Sequence, residues 1–133
     1  MRNNSEAYQE GLALLEWLHG SHTGAELIKA LKDVCPDFAR MTIEWGMSGI
    51  MGRPGLDLIT REYAVIACCV TLGHAAPQLR AHIDAALGLG ATKQQIVEVI
   101  LSVTFYAGGA AVANALFVAD DAFKARPEDV VGE

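Results

Sequence analysis

Apolar residues recur at helical spacing along most of this chain, and the clearest case is residues 53–90. There a proline-glycine elbow precedes one very apolar helix and then an amphipathic helix. No residue from Tyr63 to Leu72 is charged, so the first helix must be enclosed by other elements or by another subunit. Gly73 should end that helix. Because only a few residues separate the two helices, the pattern predicts an antiparallel hairpin.

Local signals indicate where the two helices of the hairpin begin. Thr60 is a predicted N-cap, since its side-chain oxygen can accept from the free backbone N–H groups of a first turn. Pro77 suits a first helical position because it has no N–H to leave unsatisfied. The second helix has a predicted buried stripe at helical spacing, with His82 beside it, and the stripe consists of Leu79, Ile83, Ala86 and Leu87.

Three more helices are predicted before the hairpin. The first covers residues 5–18, and the second opens with a capping box of Thr23 and Glu26 and runs to about Cys35. The third begins near Asp37 and fades in the glycine-rich run WGMSGIMGRPG. That run is too apolar to lie freely in water, so we expect a loop that covers a neighbouring subunit or a pocket.

The pattern after the hairpin predicts two further helices. Thr92 and Gln95 form a second capping box, which opens a helix over residues 93–106. A glycine pair then interrupts, and a last helix should run from about residue 110 to 124, before a frayed tail at 127–133. The prediction is an all-α fold of about six or seven helices, with no strand alternation.

Composition adds an expectation about assembly. A length of 133 residues fits one domain, residues 1–133, with a real core. Hydrophobic residues make up 52% and the mean hydropathy is +0.26, which is apolar for a small soluble domain. Because such a chain has more apolar surface than it can bury alone, we expect an obligate homo-oligomer.

Charge and hydropathy exclude several classes of partner. The formal net charge is −6 and no basic cluster exists, so nucleic acid is not an expected partner. Residues 96–118 are long enough to span a bilayer, but Glu98, Asn114 and a glycine pair interrupt them, which favours two core helices and no membrane. The chain's start lacks an apolar signal-peptide core, so we expect a cytoplasmic protein.

The three cysteines argue against a disulfide framework. Cys68 and Cys69 are adjacent on a predicted helix and cannot bridge without breaking it, and Cys35 completes no Cys-x-x-Cys. This fits a reduced compartment. A redox-active cysteine needs a lowered pKa and usually a resolving thiol, which a helix centre does not provide, so inert thiols are the favoured interpretation.

Three segments together resemble the carboxymuconolactone decarboxylase family, a branch of the AhpD-like superfamily. They are WGMSGIMGRPGLDLITRE, LRAHIDAALGLGATKQQIVEVI and YAGGAAVANAL, and the resemblance spans roughly residues 34–123. It implies an all-helical fold assembled as a ring-like homo-oligomer, commonly a hexamer built from dimers or trimers. The family's namesake decarboxylates γ-carboxymuconolactone in protocatechuate breakdown, the β-ketoadipate pathway, with no metal or organic cofactor.

The resemblance implies a set of site residues. Arg61 would hold a carboxylate of a small anionic substrate, and His82 and Glu62 would handle protons. Glu98 and Tyr106 match further positions of the pattern and are assigned to substrate binding. Where the namesake is expected to carry histidines, this chain has Ser102 and Asn114, and its loop before RPGL also differs.

Each of these residues also has a structural alternative. Arg61 could form a surface salt bridge, His82 could bond a backbone carbonyl at a helix seam, and Glu62 could simply favour a helix N-terminus. Glu98 could pair with Arg or Lys, and Tyr106 could be a core aromatic. Two other functions are therefore weighed beside a decarboxylase: a thiol oxidoreductase like the peroxide-reducing branch of the superfamily, and a silent oligomeric binding protein of the same fold.

Overall fold

The computed structural model describes residues 5–126, and these residues are all-helical, with no β-strand. They form eight α-helices and one π-helical segment. The bounds are α1 Glu6–His19, α2 Thr23–Leu31, α3 Pro36–Met41, the π segment Thr42–Met51, α4 Leu58–Leu72, α5 Ala76–Gly88, α6 Lys93–Ser102, α7 Thr104–Ala107 and α8 Gly109–Lys124. Two compact units divide the chain, Met1–Leu58 and Ile59–Glu133. The tail predicted to fray, 127–133, lies outside the described residues.

In the first unit, α1 packs closely against the π segment. Ser5 caps α1, since its hydroxyl oxygen accepts from the backbone N–H of Tyr8 at 3.0 Å. Gly11 is buried at the contact, where an added Cβ would clash with the carbonyl oxygen of Ile43. Only glycine therefore allows the two helical backbones to approach this closely.

Two expectations for this unit were wrong. Most of the glycine-rich run is not a loop but the π segment, whose end is marked by the backbone bond from Gly52 N–H to Met47 oxygen at 2.8 Å. Glycines there predicted irregular backbone, but the helix continues with wider turns. Thr23 is not an N-cap: its hydroxyl donates to the Gly20 carbonyl at 2.7 Å, and α2 already ends at Leu31.

In the second unit, one apolar core joins α4, α5, α6 and α8. The hairpin of α4 and α5 turns over residues 73–75, with Gly73 at φ 78°, as glycine tolerates. The fully buried side chains of this core include Ile66, Ile83, Ile96 and Ile100. Thr60 does not cap α4 as predicted, because the helix begins two residues earlier at Leu58.

The capping box of Thr92 and Gln95 is confirmed. Gln95 N–H donates to the Thr92 hydroxyl at 3.0 Å, and Thr92 N–H donates to the Gln95 side chain at 2.9 Å. The helix it opens is interrupted at Val103, earlier than predicted, and α8 then begins at Gly109. No helix within residues 5–126 is both long and apolar enough to cross a bilayer.

Candidate functional site

Glu62 is the one charged side chain among residues 5–126 that is buried, with an exposed fraction of 0%. It lies one turn before Ile66 and two before Cys69, on a face of α4 that is otherwise apolar. Placing a carboxylate there costs desolvation free energy unless partners compensate. A residue with such a cost and no obvious structural gain is a candidate for function.

His82 of α5 provides the compensation. Its Nδ1 lies 2.6 Å from Oε2 of Glu62, a distance typical of a hydrogen bond to a charged group. The His82 side chain is 23% exposed. The pair therefore connects a carboxylate in the core to an imidazole that reaches the surface of the unit.

The second carboxylate oxygen of Glu62 is unsatisfied. Oε1 is buried, and no group of the described residues donates to it. Buried polar atoms are almost always hydrogen-bonded, and an orphaned one costs about 1 to 3 kcal/mol. The site thus retains an acceptor that a proton or a ligand donor would satisfy.

Cys69 follows Glu62 on the same helix face but does not form a reactive thiol. Burial raises the pKa of the Cys69 thiol, and the neighbouring Cys68 and the Glu62 carboxylate raise that pKa further. A thiolate nucleophile needs the opposite environment. Cys35, Cys68 and Cys69 are all free, and Cys69 is the buried one.

A small cavity lies next to Cys69 between α4, α5 and α8. Its volume is about 30 Å³, and its walls include Cys69, Leu79 and Asn114. This volume holds about one water molecule. The cavity is therefore too small for an organic ligand the size of a five- or six-membered ring.

Of the other predicted site residues, Arg61 is next to Glu62 on α4, whereas Glu98 and Tyr106 are on other helices. Arg61 is half-buried and precedes Glu62 in the first turns of α4. Glu98 is exposed and accepts from the Gln94 side chain at 2.9 Å, so its partner is not an Arg or Lys. Tyr106 is 87% exposed on α7 and is therefore not a core aromatic.

Sequence reasoning assigned protons to both Glu62 and His82 but did not predict that they bond each other. The signal was present: both residues lie on the helices of one short hairpin, 20 positions apart. Which side chains meet across a hairpin depends on how the two helices pack against each other, and spacing along the sequence does not determine that packing.

Comparison with known proteins adds independent findings. Residues 36–121 match the model of the carboxymuconolactone decarboxylase family. The chain is 30% identical over 122 residues to the 4-carboxymuconolactone decarboxylase of Acinetobacter baylyi, covering 92% of this chain and 90% of that protein. It is also 30% identical over 103 residues to an uncharacterized 15.0 kDa protein of Paracoccus denitrificans, covering 77% of each.

Proposed function

This chain belongs to the carboxymuconolactone decarboxylase family, and from that premise we propose that it is a cofactor-independent decarboxylase acting on a small anionic lactone. The observation that carries the proposal is the pair of Glu62 and His82, a buried carboxylate 2.6 Å from an imidazole that is 23% exposed. Such a pair holds and moves a proton without a metal or an organic cofactor.

The reaction needs an acceptor for an electron pair and then a proton. In γ-carboxymuconolactone, breaking the bond to the departing carbon dioxide leaves that electron pair on the ring carbon. The ring double bond delocalises it onto the lactone carbonyl as a dienolate. Protonation beside the carbonyl then gives the enol-lactone, so one proton is taken up for each carbon dioxide released.

His82 is the proposed proton donor. Glu62 engages Nδ1, which fixes the orientation of the imidazole, so Nε2 is the nitrogen that would deliver the proton. Glu62 is then a positioning residue whose orphaned Oε1 can also accept a proton or a substrate donor.

Arg61 is the proposed carboxylate anchor, because a guanidinium binds a carboxylate bidentately. It follows Thr60 and precedes Glu62 in the TRE sequence that carries the resemblance. Glu98 and Tyr106 are proposed as more distant substrate contacts, since both are exposed on α6 and α7.

We further propose that the protein works as a homo-oligomer, with a hexamer as the expected form, in the cytoplasm. Large apolar side chains of α6, α7 and α8 support this, since they are exposed in the single chain: Leu101, Phe105 and Phe117. Such exposure is typical of surfaces that are covered in an assembly. No observation favours the thiol oxidoreductase, because the pKa of Cys69 is raised rather than lowered.

The test is turnover of freshly generated γ-carboxymuconolactone, followed by carbon dioxide release. We expect His82→Ala to lower kcat about 10²- to 10⁴-fold, the usual contribution of a general acid. Arg61→Gln should mainly raise KM. Arg80→Gln is the matched control, since Arg80 lies on α5 but pairs with Asp84 at 3.1 Å, and it should leave both constants unchanged.

Two results would contradict the proposal. A wild-type oligomer that releases no carbon dioxide from this lactone would exclude the namesake activity and favour a relative with another substrate or a binding role. Full activity in His82→Ala, with the oligomer intact, would remove the imidazole from the mechanism.

A further inference from the structure

A cavity of about 170 Å³ lies in the first unit, between α1, α2 and α3. Six residues line it: Tyr8, Ile28, Lys32, Pro36, Ala39 and Arg40. Three of the six precede residue 36, where the match to the family model begins. The decarboxylation proposed above uses none of these residues.

Most of the cavity wall is apolar and suits one flat ring. Ile28, Pro36 and Ala39 supply aliphatic surface, and the buried ring of Tyr8 supplies an aromatic one. An engineered apolar cavity of about 150 Å³ is known to hold a benzene molecule. A volume of about 170 Å³ therefore accommodates a six-membered ring with a small substituent.

The remaining wall carries two positive charges. The Arg40 guanidinium carbon lies 5.8 Å from the centroid of the Tyr8 ring, which is within the range of a cation–π contact. Lys32 approaches from the end of α2. Within residues 5–126 neither cation forms an ion pair. Two cations without an anionic partner, beside an apolar cavity wall, favour a ligand that combines a negative charge with an apolar ring.

We propose that this cavity binds a small carboxylate carrying one flat ring, with the ring against Tyr8, Ile28 and Pro36 and the carboxylate between Lys32 and Arg40. Arg40 offers a planar fork of donors and Lys32 a compact charge, a combination suited to a carboxylate. A free phosphate would use the cations but not the apolar walls, and a neutral ring would use only the walls.

The test is calorimetric titration of benzoate into the full-length protein, with benzamide as the neutral analogue of the same shape. Benzoate should bind once per chain, and benzamide should bind at least tenfold more weakly. Lys32→Gln and Arg40→Gln should each weaken benzoate binding about tenfold, the effect of losing one charge-assisted contact. Lys29→Gln is the matched control, because Lys29 is an exposed lysine of the same helix that does not line the cavity.

Binding at the candidate active site is a distinct outcome, and Arg61→Gln detects it. The proposal requires that Arg61→Gln leave the benzoate affinity unchanged, whereas a loss there would place the ligand at the site of decarboxylation and overturn it. Absence of benzoate binding, equal binding of benzamide, or equal weakening by Lys29→Gln would also overturn it. Should Arg40→Gln unfold the protein, Lys32→Gln still decides, since Lys32 is exposed.

Discussion

At the residue scale, burying the Glu62 carboxylate costs desolvation free energy, and its hydrogen bond to His82 compensates only part of that cost. A buried carboxylate is stable when charged and hydrogen-bonded groups surround it, yet one of its oxygens bonds His82 and the other bonds nothing in the described residues. A stability requirement alone would favour an apolar residue at this position. The orphaned oxygen is therefore the observation that favours the functional role proposed for this pair over a purely structural one.

Glu62 and His82 should be coupled in stability. We expect His82→Leu to lower the free energy of unfolding by about 3 kcal/mol, because it leaves a buried carboxylate without a bond. The double change with Glu62→Leu should recover much of that loss, giving a coupling energy of about 1 to 3 kcal/mol. Urea unfolding of the four proteins at one fixed concentration measures it.

The exposed pair of Arg80 and Asp84 on α5 is the control for that cycle. Its side chains are 39% and 42% exposed, so its coupling energy should stay below about 0.5 kcal/mol. A coupling of Glu62 with His82 no larger than this would show that the short contact contributes nothing specific.

The cysteines should differ in reactivity. Burial, the neighbouring Cys68 and the Glu62 carboxylate raise the pKa of Cys69 above its ordinary value, so iodoacetamide should label the exposed Cys35 and Cys68 first. Peptide mass spectrometry over time follows the order. Labelling of Cys69 in the folded protein as fast as Cys68 would contradict the burial argument.

The same shift of the Cys69 pKa gives a sign for stability against pH. The folded protein holds the thiol proton more tightly than the unfolded chain, so this contribution is complete below the ordinary thiol pKa. It is lost as pH rises from that value through the raised pKa. The midpoint of urea unfolding of wild type, relative to Cys69→Ala, should therefore fall on the alkaline side.

At the element scale, two similar sequence motifs have different structures. Thr92 with Gln95 forms both bonds of a capping box, whereas Thr23 with Glu26 forms neither and the Thr23 hydroxyl bonds back to Gly20. The motif states only that suitable side chains are three positions apart. Which residue has the extended backbone of an N-cap depends on how the preceding turn enters the helix.

Thr92→Ala should therefore cost more than Thr23→Ala. Removing the Thr92 hydroxyl leaves an N–H of the first turn of α6 without its acceptor, so we expect a loss of about 1 kcal/mol in unfolding free energy. Thr92→Ser keeps the acceptor and should restore most of it. Thermal and urea unfolding compare the three variants, and an equal cost at Thr23 would argue that the box has no special role.

The contact of α1 with the π segment makes another prediction. A Cβ at Gly11 would clash with a backbone oxygen that cannot move aside as a side chain can, so Gly11→Ala should lower the free energy of unfolding by about 1 to 3 kcal/mol. Gly46 is the control, because a Cβ there meets nothing within 4 Å and its φ is not positive. Urea unfolding should show Gly46→Ala neutral or slightly stabilising.

At the scale of the whole molecule, the apolar composition and the exposed aromatic residues both indicate that the single chain has more apolar surface than it buries. Hydrophobic residues form 52% of the chain, and Phe105, at 97% exposed, and Phe117 remain uncovered in the single chain. Burying such side chains gains about 1.5 to 3 kcal/mol each. The proposed assembly would supply that burial.

Sedimentation velocity should therefore show a homo-oligomer at micromolar concentration. Phe105→Ser or Phe117→Ser should shift the distribution toward smaller species, because each removes exposed apolar area. Gln78→Ala, a change at an exposed polar position of α5, is the control and should not. A wild-type monomer at all concentrations would refute the assembly.

The sequence by itself determined the helical class, the order of the elements and the membership of the family. These follow from local periodicity, glycine and proline positions, and motif spacing, which act over a few residues. For the same reason Thr92 was predicted correctly as a cap and α8 was placed within one residue of its start.

Only the tertiary structure decided which side chains meet. That Glu62 is buried and bonds His82, that Gly11 abuts Ile43, and that Tyr106 points away from the core each depend on how helices pack. The glycine-rich run is a π segment, because its backbone hydrogen bonds and its packing outweigh the low helix propensity of glycine. Helix packing depends on how whole helix faces fit together, and the spacing of residues along the sequence does not determine that fit.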